Sequence, residues 1–323
     1  MIRGPGFRSI RRAALAFAAA PPEIRCPPSR RRGFFVSLAL SRCGRRTRKL
    51  TWLIFRFSRN HGKVVMLQLV KQGGRQVSIH IQMIGTGNAF AKKFFNNNAI
   101  VAVDGYRLLV DCGVTAPYAL YRAGINISEI DGILITHIHG DHIGGIEELA
   151  FALLYVHKKK IPLYVPASLR VPLWETSLKG ALEDHSAGCD SLDCYFDVVE
   201  LEDRVPYAIR DGFTVELIPN LHIPNKPSYS LLVNENVFYS SDMTFDPALL
   251  TELTDGGRCR HILHECQLTG PGLVHTTLDE LLTLPESLQE RIWLMHYGDN
   301  RDDFIGKTGR MRFIEQQTEY EFT

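Results

Sequence analysis

The sequence lacks an apolar run long enough to cross a lipid bilayer, which requires about 20 consecutive residues. The two apolar pieces near its N-terminus, residues 13–20 and 50–57, are both shorter than that. We therefore expect a protein without a membrane partner.

The sequence also lacks a disulfide framework, because its seven cysteines follow no regular spacing. Such cysteine usage is typical of a reducing compartment, so we expect a cytoplasmic protein. Cys189 and Cys194 share a loop with His185, but a structural zinc site there would need a fourth ligand and a more regular spacing. We expect no structural zinc in this loop.

Acidic residues are almost missing from the N-terminal region. Residues 1–65 hold 16 of the 37 Lys and Arg residues but one of the 35 acidic residues, Glu23, which leaves 21 basic and 34 acidic residues in 66–323. The near-neutral total therefore hides a basic extension joined to an acidic body. No helical or strand period runs through the extension, so we place it outside the folded core, as a disordered or non-native segment.

Three interpretations of residues 1–65 stay open. The segment is translated sequence upstream of a natural start at Met66, or an Arg-rich targeting peptide with a cleavage site near Ala20. The third interpretation is a basic tail that binds nucleic acid. Each of the three predicts one folded domain over residues 66–323.

A polar motif at residues 136–142 organises the folded domain. Residues 132–135 before it form a short apolar run typical of a buried strand, and residues 145–157 after it carry apolar side chains at helical spacing. The motif is therefore predicted on a loop at the carboxyl end of a strand, where α/β sheets usually place their chemistry.

This loop offers four metal-ligating side chains, His137, His139, Asp141 and His142. Imidazole and carboxylate are the usual ligands of Zn²⁺ and similar metals. His137 and His139 are two positions apart and face one side of an extended loop, so the other two turn to a second point. One loop thus offers two ligands to each of two metal ions, which lie about 3.5–4 Å apart in such sites.

Strand and turn patterns surround the motif. Residues 78–84 alternate like a strand, and the glycine-rich turn at 85–88 lets the backbone approach a ligand. Residues 99–103 and 106–110, joined by Asp104 and Gly105, predict a hairpin.

The motif Thr-His-Ile-His-Gly-Asp-His resembles the signature loop of the metallo-β-lactamase fold. Within that superfamily, residues 81–313 are most similar to the tRNase Z-like phosphodiesterases. The resemblance implies an α/β fold, an αββα sandwich, with two divalent metal ions. Zn²⁺ is the first choice, with Mn²⁺ and Fe²⁺ as alternatives.

Three later residues each close an apolar strand, as the motif does: His222, Asp242 and His296. Polar residues that follow several strands at one sheet edge are expected in an active site. The resemblance implies a first metal site of His137, His139, His222 and Asp242. It implies a second site of Asp141, His142, Asp242 and His296, with Asp242 bridging both ions.

Two further motifs, around Glu265 and His275, resemble the HEAT and HST motifs of tRNase Z. The resemblance implies that His275 donates a proton to the leaving oxygen and that Glu265 orients its ring. The alternative is that Thr276 and Thr277 cap a helix over 278–284 and that His275 is incidental. Asp111, which ends the hairpin, supports the metal loop from behind or is an ordinary turn residue.

The sequence departs from tRNase Z at two places. Only residues 223–241 separate His222 from Asp242, which leaves room for a hairpin but not for the long arm that grips tRNA. Residues 91–98 stand where the family has a Pro-x-Lys-x-Arg loop. Both departures, and the acidic body, disfavour tRNA as the substrate.

We therefore expect a binuclear metal-dependent hydrolase, a phosphodiesterase that uses a metal-bridging hydroxide held and deprotonated with the help of Asp141. Small phosphodiesters, cyclic nucleotides and RNA ends stay open as substrates, and a homodimer stays open as the assembly. One alternative is a lactone, sulfate-ester or thioester hydrolase on the same site. Others are a tRNA 3′-processing endonuclease and a non-enzymatic nucleic-acid-binding protein with a structural metal site.

Overall fold

The computed structural model describes residues 57–60, 63–66 and 77–323. The chain divides into two units, Met1–Gly73 and Gly74–Thr323. In the first unit, β1 (Phe57–Asn60) and β2 (Lys63–Met66) pair as antiparallel strands. The interpretation of residues 1–65 as an extension outside the folded core stays a prediction. The domain boundary at residue 66 stays a prediction.

One seven-stranded sheet of the second unit has the order β16-β3-β4-β5-β6-β7-β8. Its strands are β3 (Ile79–Gly85), β4 (Asn98–Val103), β5 (Tyr106–Val110), β6 (Gly132–Leu134), β7 (Pro162–Pro166), β8 (Asp197–Leu201) and β16 (Glu319–Phe322). The strands from β16 to β5 pair antiparallel, and those from β5 to β8 pair parallel. β4 and β5 form the predicted hairpin, with Asp104 and Gly105 at φ of 46° and 80° in its turn.

The other seven-stranded sheet has the order β15-β14-β13-β12-β11-β10-β9. Its strands are β9 (Tyr207–Arg210), β10 (Phe213–Asn220), β11 (Ser228–Val233), β12 (Val237–Tyr239), β13 (His261–Glu265), β14 (Ile292–Met295) and β15 (Arg312–Phe313). The strands from β9 to β12 pair antiparallel, and those from β12 to β15 pair parallel. As predicted, only a hairpin, β11 with β12, fills the interval between His222 and Asp242.

Short helices flank the two sheets. They are α1 (Ala116–Arg122), α2 (Gly140–Ile143), α3 (Ile146–Phe151), α4 (Arg170–Pro172), α5 (Lys179–Leu182), α6 (Pro247–Asp255), α7 (Leu278–Leu282) and α8 (Glu286–Gln289). The segments Ala152–His157 and Leu173–Leu178 are π-helical, and Ile127–Glu129, Leu192–Cys194 and Arg301–Phe304 are 3₁₀ turns. None of the helices in the described residues combines the length and the apolar character needed to cross a membrane.

Two apolar cores hold these layers together. The larger core joins inner faces of both sheets, for example Leu109 and Leu231, to Leu120 of α1 and Leu149 of α3. The smaller core packs α6, α7 and α8 on the outer face of the second sheet. This helix-sheet-sheet-helix order confirms the predicted αββα sandwich.

Cys189 and Cys194 are joined by a disulfide bond, which the irregular cysteine spacing did not predict. Cys189 pairs with Asp184 through two backbone hydrogen bonds of 2.8 Å, and Cys194 ends a 3₁₀ turn. These two features bring the Cα atoms within 5.2 Å, although five positions separate them. Spacing in the sequence does not reveal such a local turn.

Candidate metal centre

Four strand ends and one short helix bring the seven predicted ligands together. His137 and His139 follow β6, Asp141 and His142 lie in α2, His222 follows β10, Asp242 follows β12, and His296 follows β14. They form two groups that could each hold an ion, and the two groups share Asp242. The composition of both groups matches the predicted assignment, while their function as metal ligands stays a prediction.

The first group consists of His137, His139, His222 and Asp242. Nδ1 of His139 lies 3.1 Å from Nε2 of His137 and 3.2 Å from Nε2 of His222. Oδ2 of Asp242 lies 3.8 Å from Nε2 of both other histidines. Bonds of about 2.0–2.2 Å to a tetrahedral Zn²⁺ would separate the ligand atoms by about 3.3 Å. The group therefore has nearly the size that such an ion requires.

The second group is more regular. Nε2 of His142 lies 3.4 Å from Oδ2 of Asp141 and 3.3 Å from Oδ1 of Asp242. Nε2 of His296 lies 3.4 Å from each of the same two oxygens. All four separations agree with the edges of a tetrahedral site.

Two buried polar atoms show what these groups require. Oδ1 of Asp242 and Nε2 of His142 have no hydrogen-bonding partner among the described residues. An unsatisfied buried polar atom is costly, and a cation bound between the two atoms would satisfy both. Because Oδ2 of Asp242 faces the first group and Oδ1 the second, the carboxylate is placed to bridge two ions. The residues present thus fit a binuclear centre.

The charge balance of the two groups also fits a binuclear metal centre. Burial lowers the pKa of His137 well below its usual range and also lowers that of His139, because a charged ring would be poorly solvated there. Burial opposes charge on His296 too, but Asp242 and neighbouring carboxylates raise its pKa to about 10. The second group therefore requires positive charge beside its carboxylates, for which a divalent cation competes with protons.

Asp111 holds the metal loop from behind, as one of the two sequence-based interpretations expects. Its carboxylate accepts hydrogen bonds from the backbone N–H of Thr136 at 2.8 Å, from the Thr136 hydroxyl at 2.7 Å and from Nδ1 of His142 at 2.7 Å. The last bond leaves Nε2 of His142 facing the ligand groups. His222 is fixed in the same way, because its Nδ1 donates to the carbonyl of Val274 at 2.7 Å.

Backbone geometry at the strand ends is unusual. Asp111, Ser241 and His296 follow β5, β12 and β14 directly or closely, and all three adopt positive φ, of 61°, 51° and 55°. Non-glycine residues rarely occupy this region, and such strain concentrates at functional sites. The close packing continues at Gly113, where an added Cβ would overlap the carbonyl of Asp141.

His275 lies beside the ligand groups and contacts Glu265. Its Nδ1 is 2.9 Å from Oε2 of Glu265 and 4.0 Å from Oδ2 of Asp242. Glu265 is fully buried and also accepts the backbone N–H of Met243 at 2.6 Å, which fixes its carboxylate. Burial disfavours a charged His275, yet the hydrogen bond that its ring donates to Glu265 raises its pKa above the usual value. Thr277 does cap α7, so the capping role and the contact to Glu265 coexist.

A cavity of about 560 Å³ opens above the ligand groups. This volume lies within the ~300–1,000 Å³ of typical small-molecule sites. The cavity is lined by Asn88, Ala89, Phe90, His139, Gly140, Asp141, His222, Ile223, Asp242, Gln267, Thr269, Val274, His275 and His296. Of these, the turn at 85–88 was identifiable from the sequence, whereas Phe90, Gln267 and Thr269 were missed. A single side chain in an irregular loop leaves no periodic signal.

The chain matches known proteins over the region that builds this site. The family model of the Anti-Pycsar protein Apyc1 matches residues 79–320. The Anti-Pycsar protein Apyc1 of Paenibacillus xerothermodurans is 58% identical over 247 residues, covering 76% of this chain and 99% of the relative. That of Saccharibacillus brassicae is 52% identical over 242 residues, covering 75% and 99%.

Solved structures show the same fold at low identity. The metallo-β-lactamase fold protein YhfI from Bacillus subtilis has a TM-score of 0.60 at 16% identity, covering 76% of this chain and 100% of its own. A diphosphatase of the PhnP family has a TM-score of 0.61 at 17% identity, covering 76% and 97%. Human short-form tRNase Z has a TM-score of 0.53 at 20% identity, covering 75% and 98%. These likenesses establish the metallo-β-lactamase fold.

Proposed function

Because the chain belongs to the family of the Anti-Pycsar protein Apyc1, we propose that it acts against Pycsar by hydrolysing a small phosphodiester. The substrate that suits the site best is a cyclic mononucleotide. The enzyme would be a binuclear metal-dependent hydrolase, with the two ligand groups as its metal sites.

The pair of His275 and Glu265 beside the ligand groups is the observation that supports a phosphodiester as the substrate. An alkoxide leaves phosphorus as a strong base and needs a proton while the P–O bond breaks. Nδ1 of His275 is held by Glu265 at 2.9 Å, and the ring lines the cavity. This arrangement is that of a general acid. Lactones and thioesters have leaving groups that need less help from an added acid.

The residues of the chain divide the work as follows. The two ligand groups would hold two divalent cations, with Zn²⁺ favoured by the His and Asp donors, and these would supply charge neutralisation at phosphorus and a more acidic water. Asp141 lines the cavity and takes up the proton of the attacking water. The water oxygen bonds to phosphorus, and one P–O bond of the cyclic phosphodiester breaks. His275 then transfers its proton to the ribose oxygen that leaves. Glu265 stabilises the charged ring before that transfer.

The cavity favours a small substrate over a polynucleotide. No Lys or Arg lines it among the residues that the structure describes. Proteins that hold a nucleic-acid strand neutralise several phosphates with basic side chains. A cyclic mononucleotide has one phosphate charge, which the metal ions would neutralise. Between His222 and Asp242 the chain forms the hairpin of β11 and β12, which is too short to be an arm that holds tRNA.

Turnover of three substrates tests the proposal. The metal-loaded protein should hydrolyse bis(p-nitrophenyl) phosphate and a 3′,5′-cyclic mononucleotide, and a chelator should stop both reactions. Single-stranded RNA of the same phosphate concentration should be cleaved far more slowly. Hydrolysis of a lactone or thioester without turnover of either phosphodiester would contradict the assignment.

A further inference from the structure

Phe90 is an aromatic side chain displayed at the mouth of the cavity. Its side chain lines the cavity, yet 86% of the residue is exposed. The phenyl ring therefore has a free face beside the proposed site of the phosphodiester. A free aromatic face at this point is suited to a flat ring on the ligand.

The turn that carries Phe90 is held by fixed hydrogen bonds. Oδ1 of Asn88 accepts the backbone N–H groups of Phe90 and Ala91, each at 3.0 Å. The backbone N–H of Asn88 donates to the carbonyl of Tyr297 at 3.1 Å. The exposed ring thus stands on a turn whose backbone is tied to the segment that follows His296.

Asp299 forms a second set of hydrogen bonds with the segment that follows Phe90. Its carboxylate accepts the backbone N–H of Lys92 at 2.9 Å and that of Lys93 at 2.8 Å. Nζ of Lys93 donates to the carbonyl of Asp299 at 3.0 Å. Asp299 lies three positions after His296, so one short segment carries a proposed metal ligand and the anchor of the turn with Phe90.

The remaining wall of the cavity mouth is polar but uncharged. Gln267 and Thr269 line it, and Nε2 of Gln267 donates to the carbonyl of Thr269 at 2.8 Å. That bond uses one of the two amide N–H groups of Gln267, so polar groups stay available there. Among the described residues that line the cavity, Phe90 carries the one phenyl ring, so contact with its face is the interaction suited to a flat ring.

We propose that Phe90 is the stacking platform for the nucleobase and that Asp299 is the residue that positions it. This inference rests on the proposed function and names the part of the substrate that the metal centre does not bind. Stacking of one base on an aromatic side chain contributes about 5- to 150-fold to affinity. The phosphate would lie at the ligand groups and the base against Phe90.

Product binding tests the platform without relying on turnover. Isothermal titration of metal-loaded protein compares a nucleoside 5′-monophosphate with ribose 5-phosphate, which lacks the base. The wild-type protein should bind the nucleotide about 5- to 150-fold more tightly, and Phe90→Ala should remove most of this ratio. Phe90→Trp should preserve it. Affinity for ribose 5-phosphate should be the same in all three proteins.

Leu273→Ala is the matched control, because Leu273 is 82% exposed but does not line the cavity. It should leave both affinities unchanged. An unchanged ratio in Phe90→Ala would overturn the inference. An altered sedimentation coefficient of Phe90→Ala, with unchanged affinities for the nucleotide and for ribose 5-phosphate, would also overturn it. That result would mean that a second copy of the chain covers Phe90.

Asp299→Ala tests the positioning role. It should lower the same ratio by less than Phe90→Ala does, and the double variant should be no worse than Phe90→Ala alone. KM for a cyclic mononucleotide should rise while kcat stays within about twofold. Additive losses, or loss of metal from Asp299→Ala, would overturn this part. If the wild-type protein binds the nucleotide through its base but hydrolyses no phosphodiester, the proposed function fails and the platform stands.

Discussion

The floor and the mouth of the cavity are built by different means. The floor consists of the proposed metal ligands, for example Asp242 and His296, which follow strands and are 1% and 3% exposed. The mouth consists of Phe90, Gln267 and Thr269 on loops, and Phe90 is 86% exposed. Two floor histidines are held by bonds from Nδ1, which His142 makes to the carboxylate of Asp111 and His222 to the carbonyl of Val274. The turn of Phe90 is instead held through its backbone N–H and C=O groups.

We expect the floor of the cavity to determine the chemistry and the mouth to determine which ligands bind. A change in the floor alters buried charges and the fit of an ion, so it affects every substrate. A change in the mouth alters exposed contacts, so it affects only ligands that reach them. Four predictions test that separation.

The largest effect is expected for Asp242→Ala, because this carboxylate faces both ligand groups. The variant should lose both metal ions and activity toward every substrate by about 10⁴-fold or more. His222→Ala, which removes a ligand from one group, should retain one ion. Elemental analysis of each purified protein, with circular dichroism to verify folding, measures this. Two tightly held ions in Asp242→Ala would contradict the shared role of Asp242.

His275→Ala should lower kcat for a cyclic mononucleotide by roughly 10²–10⁴-fold, the usual contribution of a general acid. It should slow bis(p-nitrophenyl) phosphate far less, because p-nitrophenolate leaves without a proton. Steady-state rates on the two substrates, with metal content as the control, decide the matter. Equal losses on both substrates with intact metal would contradict the general-acid role.

Asp111→Asn should weaken metal binding by about 10- to 100-fold, because Asp111 orients His142 without facing the ions itself. Competition with a chromogenic chelator measures the change. Thr136→Val removes one hydroxyl donor from the same carboxylate and should have a smaller effect. An unchanged affinity in Asp111→Asn would mean that His142 is oriented without it.

The smallest effect is expected from removing residues 1–65, which hold none of the proposed ligands. A chain that starts at Met66 should keep kcat and KM within about twofold, and its Tm should match that of the full chain. Thermal unfolding and rates on a cyclic mononucleotide provide the comparison. A marked fall in Tm would place the domain boundary before residue 66.

The floor was predictable from the sequence and the mouth was not. His137, Asp242 and His296 each follow an apolar strand, and α/β proteins usually place their chemistry at strand ends. The expectation of a single sheet edge was wrong, because His137 follows β6 of the first sheet whereas Asp242 and His296 follow β12 and β14 of the second. Periodicity and chemical type therefore indicated their neighbourhood. Phe90 belongs to no periodic element, and its exposure depends on bonds to Tyr297 and Asp299, about 200 positions away.

The same limit applies to the local features. The pairing of Cys189 with Cys194 accompanies backbone bonds to Asp184 and a 3₁₀ turn. The segments Ala152–His157 and Leu173–Leu178 are π-helical. Apolar spacing predicts that a helix exists and which face is buried, but not where its hydrogen bonding changes register. Those details are set by tertiary contacts.

³¹P NMR of a cyclic mononucleotide, with the metal-loaded protein in ¹⁸O-labelled water, tests whether this chain hydrolyses such a substrate at a metal centre. We expect the diester resonance to be replaced by that of a monoester carrying one ¹⁸O, and a chelator to prevent the change. An unchanged diester resonance, with two metal ions retained per chain, would contradict that expectation.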